Sequence, residues 1–262
     1  MHPIAIYLGN YPVHWYGIFV AAGFLIGLWT ASRRGLASAI PAETVMDFAP
    51  WLMIGVIAGA RILHVISYWR EEFADKPWTE IFMVQHGGLV FYGGFFGAVI
   101  ATLIYTRRKK IPLFKFADVL APSISLGHAF GRIGCLMTGC CFGKECQQSW
   151  AIHFPVGHET HPSGSLALPV HPTQIYESLL NFGLYFFLAW LYRRKKFDGQ
   201  IIAVYLLAYA LLRSFVEMFR ADYKLSEYFF NGLISPGQFV SIGIFGAGAI
   251  LFAVKFPKRK TA

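Results

Sequence analysis

The chain is poor in charge. Only 14% of its 262 residues are charged, and just 14 are acidic, while 56% are hydrophobic and 17% aromatic. That balance excludes an ordinary soluble domain, because long apolar runs follow one another with short polar breaks. Cysteine is scarce as well. Four cysteines in a chain of this length are too few for a disulfide scaffold. They lack the paired C-x2-C spacing common in zinc sites, and nothing in the sequence requires a metal or another cofactor. No charged side chain precedes Arg33, so a cleavable signal peptide with a basic leading region is not expected. The first apolar segment should insert with its N-terminus outside and stay. No internal repeat, low-complexity tract or soluble domain is visible. The expectation is one all-α integral membrane domain over residues 1–262.

The net charge of +9 raises the question of nucleic acid, but its distribution argues against that partner. Fifteen of the 23 Lys and Arg fall in four groups: 33–34, 107–110 with 115, 193–196, and 255 with 258–260. Each group borders an apolar stretch, as basic residues do on the cytoplasmic side of a membrane. Seven spans follow, at about 13–32, 47–69, 87–106, 117–138, 172–192, 200–219 and 235–254. One orientation then puts every basic cluster inside. The N-terminus lies outside, the C-terminus in the cytoplasm, and residues 139–170 form a long outer loop. The two RRKK runs mark boundaries rather than a duplication.

Against this background the polar residues within spans stand out. Three are arginines: Arg61, Arg132 and Arg213. Two are acids, Glu177 and Glu217. A cation at membrane depth costs about 2.5–3.5 kcal/mol on insertion scales, so each invites a functional reading. A structural arginine that snorkels or pairs with a helix-end carbonyl is the alternative. Three cations against two acids leave positive charge to spare, and the anion at hand in a bilayer is a phospholipid phosphate. The planar guanidinium suits it, since it can bond two phosphate oxygens and stays charged. His128 and Arg132, four residues apart, share a helix face; so do Arg61, His64 and Tyr68, and Tyr209, Arg213 and Glu217.

Glycine marks two further places. HGGLVFYGGFFG at 86–97 holds five glycines, which suit close approach of backbone to backbone or ligand. Gly127 and Gly131 have the small-xxx-small spacing that admits a neighbouring helix. All four cysteines follow within residues 135–146. A bridge from Cys140 or Cys141 to Cys146 would clamp the outer loop, the exterior being oxidising. Catalytic thiol chemistry is a further option, and Cys135 also reads as a small apolar residue.

The motifs HWYG at 14–17, GARI at 59–62, HGGLVFYGG at 86–94, GRIG at 131–134, HPTQIYE at 171–177 and RSFVEMFR at 213–220 run in a fixed order. In that order and spacing the chain resembles the bacterial prolipoprotein diacylglyceryl transferases over nearly its whole length. The resemblance implies a seven-span enzyme of the inner membrane. Such an enzyme moves the diacylglyceryl group of phosphatidylglycerol to the lipobox cysteine of a prolipoprotein signal peptide, and glycerol phosphate leaves. It implies phosphate contacts for Arg132 and Arg213, with Glu217 orienting Arg213. Tyr16 and Tyr209 fall near the lipid site, and His171, Gln174 and Glu177 on the segment-five motif.

The chain departs from the family pattern at two places. The usual GR-x-G-N-F-x-N-x-E is here GRIGCLMTGC, so Cys135, Thr138 and Cys140 replace two amides and a carboxylate. Tyr92 stands where the family places a histidine, its usual base candidate. Tyr92, His86 and His128 are then the candidates for the base. The altered signature also admits a different acceptor. A non-enzymatic membrane carrier is the competing class, but carriers commonly show internal repeats and broken helices, and neither is evident.

Overall fold

Apolar runs closed by basic residues become the helices of this protein. The structure is a computed structural model that describes residues 3–154, 168–220 and 234–256. It opens with a hairpin, β1 (Ile4–Leu8) and β2 (Tyr11–His14), paired antiparallel. Then follow α1 (Trp15–Leu36), α2 (Ala42–Met46), α3 (Phe48–Ser67), α4 (Phe91–Arg108), α5 (Leu113–Thr138), α6 (Thr173–Tyr192), α7 (Gln200–Glu217) and α8 (Pro236–Lys255). Seven of these helices, among the described residues, run for 18 residues or more, and they match the expected segments to within four residues at either end. The all-α expectation omits the hairpin and three isolated β-bridges among the described residues; β1 and β2 hold only 5 and 4 residues.

Among the described residues, four helices are long and apolar enough to cross a membrane: α1, the continuous stretch Ala42–Ser67, α7 and α8. Their surfaces agree with that. Leu211 on α7 and Ile250 and Val254 on α8 are 61%, 67% and 73% exposed, a liability in water and ordinary in lipid. Arg33 and Arg34 end α1, and Arg107 and Arg108 end α4. Cations there complement the negative end of the helix dipole.

The chain forms two compact units. One comprises Ser32–Phe116; the other joins Met1–Ala31 to Ala117–Ala262. In the first, α3 and α4 pack along a glycine seam. A Cβ added at Gly59 would strike the Gly93 carbonyl, and one at Gly97 would strike the Gly55 carbonyl. The glycines therefore serve close helix contact, as small residues do where membrane helices meet. Gly88 is different. It takes φ +74°, and a Cβ there would meet His64 and the Arg61 guanidinium. Arg61 itself is buried and donates to four carbonyls: Glu80 and Gly87 at 2.7 Å, Ile81 at 2.9 Å and Gly88 at 3.3 Å. His64 lies 3.1 Å from Glu72.

In the second unit, small residues again set helix distances. Gly23 on α1 faces Gly127 and Phe130 on α5, and Ser123 donates to the Gly27 carbonyl at 2.5 Å. Gly127 thus does what its spacing suggests, whereas Gly131 faces open space. Ser178 on α6 donates to Ala129 of α5 at 3.0 Å. Asp118, fully buried on α5, caps α7. Its carboxylate accepts from the backbone N–H groups of Gly199, Ile201 and Ile202 at 2.9–3.0 Å and from Lys195 Nζ at 3.1 Å. Removing one partner of such a pair strands the other and leaves orphan helix donors. Asp118→Ala should therefore cost about 3–5 kcal/mol. Thermal unfolding in detergent should show a clear drop in midpoint, and an unchanged midpoint would contradict the capping role.

Candidate active site

The polar side chains of α5, α6 and α7 converge inside the second unit. Each comes from a sequence position that faces inward on its helix. Glu177, one turn into α6, is 3% exposed and forms the hub. Its Oε2 lies 3.0 Å from Arg132 Nε and 3.8 Å from Arg220 Nη1, and its Oε1 lies 3.3 Å from His128 Nε2. The spacing of His128 and Arg132 on α5 thus puts both on one carboxylate. Glu217, at the end of α7, is the second buried acid. Its Oε2 lies 2.6 Å from Arg213 Nη1 and 3.9 Å from Arg220 Nε, while Ser235 donates to Oε1 at 2.8 Å. The same serine caps α8 through a reciprocal box with Gln238. The Glu217 carboxylate also rests against Gly237, where a Cβ would lie 2.5 Å from Oε1, so it sits at the positive end of α8.

Three guanidinium groups therefore meet two carboxylates in a buried cluster. Arg132 Nε and Arg213 Nη1 lie close to their acids without an aligned hydrogen bond. Among the described residues the cluster gathers three guanidinium groups and two carboxylates, with donors of Arg132 and Arg213 poorly used by those acids. In a low-dielectric setting such a cluster calls for an anion.

Aromatic and loop residues frame it. Tyr209 packs on His128 with ring centres 5.2 Å apart and stacks on Tyr205 at 5.7 Å. Tyr16 on α1 lies over Gly134, where a Cβ would come within 3.0 Å of the ring. The N-terminus of α6 holds the turn after α5. Gln174 Nε2 donates to the Cys140 carbonyl and Thr173 Oγ1 to that of Cys141, each at 2.7 Å. His171 bonds Tyr176 through Nδ1 at 3.1 Å, and its backbone pairs with Gly143 and Lys144.

All four cysteines are free thiols, and the expected bridge to Cys146 is absent. The residue that joins Cys140 and Cys141 is Cys135, at the end of α5. The three sulfurs lie within 4.8 Å of one another, and Arg132 Nη1 is 4.0 Å from Cys135 Sγ. The Cys141 thiol is held below the ordinary thiol range. The Cys135 and Cys140 thiols and the Arg132 and Arg220 guanidinium groups outweigh burial there.

The structure thus brings together Arg132, Arg213, Glu177, Glu217, Tyr209 and His128, with Tyr16, His171 and Gln174 around them. Arg61 and Tyr92 belong to the other unit. Arg61 is engaged by carbonyls, and Tyr92 is half exposed beside Phe91. The side chain of His86 lies outside what is described, as do residues 155–167 and 221–233. Arg220 and Ser235 were missed as site residues. The RSFVEMFR motif contains Arg220, but the apolar run has ended there, so it reads as a loop residue.

A membrane-embedded helical protein with a buried arginine–carboxylate cluster is the class that fold and site define. The sequence pattern of the family described as prolipoprotein diacylglyceryl transferase matches residues 3–254. A phosphatidylglycerol–prolipoprotein diacylglyceryl transferase of Finegoldia magna is 34% identical over 260 residues, covering 99% of this chain and 97% of its own. One of Bacillus cereus strain Q1 is 35% identical over 256 residues, 96% of this chain and 91% of its own. The chain belongs to the prolipoprotein diacylglyceryl transferase family.

Proposed function

We propose that this protein transfers the diacylglyceryl group of phosphatidylglycerol to the cysteine thiol of a prolipoprotein. It does so in the bacterial cytoplasmic membrane, as a single domain that crosses seven times with its N-terminus outside. The acceptor is the lipobox cysteine at the end of a signal-peptide helix. Its sulfur attacks the glycerol carbon that bears the phosphodiester oxygen. The carbon–sulfur bond forms as the carbon–oxygen bond breaks, and the electron pair leaves on glycerol phosphate.

The observation that carries this reading is the convergence of Arg132, Arg213 and Arg220 on two buried carboxylates, with Arg132 Nε and Arg213 Nη1 not aligned for hydrogen bonds to them. Charge gathers on the departing phosphate in the transition state, and preorganised cations aimed there accelerate the step most when water is excluded. Arg132, Arg213 and Arg220 hold the phosphate. Glu177 and Glu217 orient the arginines, and His128 fixes Glu177. Tyr16 and Tyr209 flank the lipid, while His171 and Gln174 hold the loop over it. Arg61 secures its own unit through carbonyl contacts.

Release of headgroup tests the reading. Phosphatidylglycerol labelled in its glycerol headgroup should yield labelled glycerol phosphate only when a lipobox peptide is present. Release without acceptor, or none with it, would overturn the transferase assignment.

A further inference from the structure

The three thiols at the end of α5 are not used by the phosphate cluster, yet they stand beside it. We propose that Cys135, Cys140 and Cys141 bind a zinc ion whose fourth position takes the acceptor cysteine as its thiolate. This rests on the transferase reading and supplies what that reading lacks, a way to activate the thiol.

The geometry is that of a ligand set. Zinc–thiolate bonds of about 2.3 Å in a tetrahedron place sulfurs about 3.8 Å apart. Cys140 and Cys141 Sγ are 3.7 Å apart, and all three sulfurs lie within 4.8 Å of one another. Small side-chain rotations close the remainder. The backbone is already set for it. Cys141 adopts φ +63°, a conformation disfavoured for a residue with a Cβ. The preceding turn is closed by Cys140 N–H donating to the Cys135 carbonyl at 3.2 Å. Gln174 and Thr173 hold the carbonyls of both turn cysteines. Thr138 Oγ1 lies 3.4 Å from Cys140 Sγ, within reach of a hydrogen bond that would orient that ligand. Cys140 is exposed, so a fourth ligand can approach, while Arg132 ties the cluster to the phosphate site.

Three protein ligands with one open position are the arrangement of catalytic rather than structural zinc. A thiol that coordinates zinc is deprotonated outright. The acceptor S–H therefore displaces water from the ion and gives its proton to solvent. Four thiolates on a divalent ion leave a net negative complex, so the bound sulfur stays nucleophilic. Its lone pair attacks the glycerol carbon, and the carbon–oxygen bond breaks toward the arginines. The product thioether is a poor ligand, so it leaves and water returns. No oxidant or reductant is needed. The change that removes the family's two amides and carboxylate puts two of these ligands, Cys135 and Cys140, in place.

The test uses the full chain, purified in detergent with its thiols reduced. Wild type should retain about one zinc per chain by elemental analysis, and C146S should do the same, while C140S should lose it. Cobalt in place of zinc should give the strong visible bands of tetrahedral thiolate coordination. Those bands should shift on adding a lipobox peptide, but not its Cys→Ser form. Stripping the metal with chelator should lower transfer at least about 10–100-fold, and zinc should restore it. Full transfer by the stripped chain, no binding by the reduced chain, or a cobalt spectrum blind to the peptide would each overturn the proposal alone. No transfer by either form, with phosphatidylglycerol bound, would overturn the transferase reading and this role with it.

Discussion

Replacing Arg132 by Ala lowers diacylglyceryl transfer by about 10²–10³-fold while the protein still inserts and purifies as a folded chain. Arg132 faces Glu177 through its Nε without an aligned bond, so this donor is not used by the acid. Its loss removes charge where the departing phosphate develops it. Such an interaction is stronger in the transition state than in the bound lipid, so the fall appears in kcat more than in KM. Arg132→Lys restores the charge but not the planar fork, and should recover only part of the rate. Single-turnover transfer with excess enzyme makes the comparison cleanly. Activity within about threefold of wild type in Arg132→Ala would remove the arginine from the chemistry.

Glu177→Gln has the second large effect, for another reason. The Glu177 carboxylate faces His128, Arg132 and Arg220 at 3.3, 3.0 and 3.8 Å and is almost wholly buried. An amide of the same shape keeps the packing and removes the charge. Arg132 and Arg220 then lose their shared counter-ion, which costs about 3–5 kcal/mol of stability where no ligand compensates. The cluster becomes more positive, so phosphatidylglycerol binding persists or tightens. Turnover nevertheless falls, about 10²-fold, because the arginines no longer point at one place. A lowered kcat with KM unchanged or reduced marks this positioning role. A raised KM with kcat intact would show instead that Glu177 touches substrate.

Much of this was legible in the sequence, and the limits have physical causes. Helix positions followed from apolar runs and basic boundaries, because lipid enforces both. Glu177, Arg132 and Arg213 stand out as candidates because a charged residue inside an apolar run is costly and therefore visible. Arg220 does not, since it follows the end of α7, where charge costs nothing. Only the turn at Met218–Arg220 and the pairing of Arg220 with Gly143 bring it back to the cluster. Arg61 obeyed the same sequence rule as Arg132, yet its guanidinium is taken up by carbonyls of residues 80–88. Sequence shows that a buried cation needs partners but not which ones. The cysteine triad was hidden by its spacing. A helix end and a turn with positive φ join Cys135 to Cys140 and Cys141, and no linear zinc pattern encodes that geometry.

The measurement that bears most directly on the central claim is the mass of a lipobox peptide after incubation with the purified protein and phosphatidylglycerol. The account predicts a gain of one diacylglyceryl group on the cysteine sulfur, stable to reducing agent and to mild base only at the thioether, with the ester-linked chains removable. An unmodified peptide, in a preparation shown to bind phosphatidylglycerol, would contradict it.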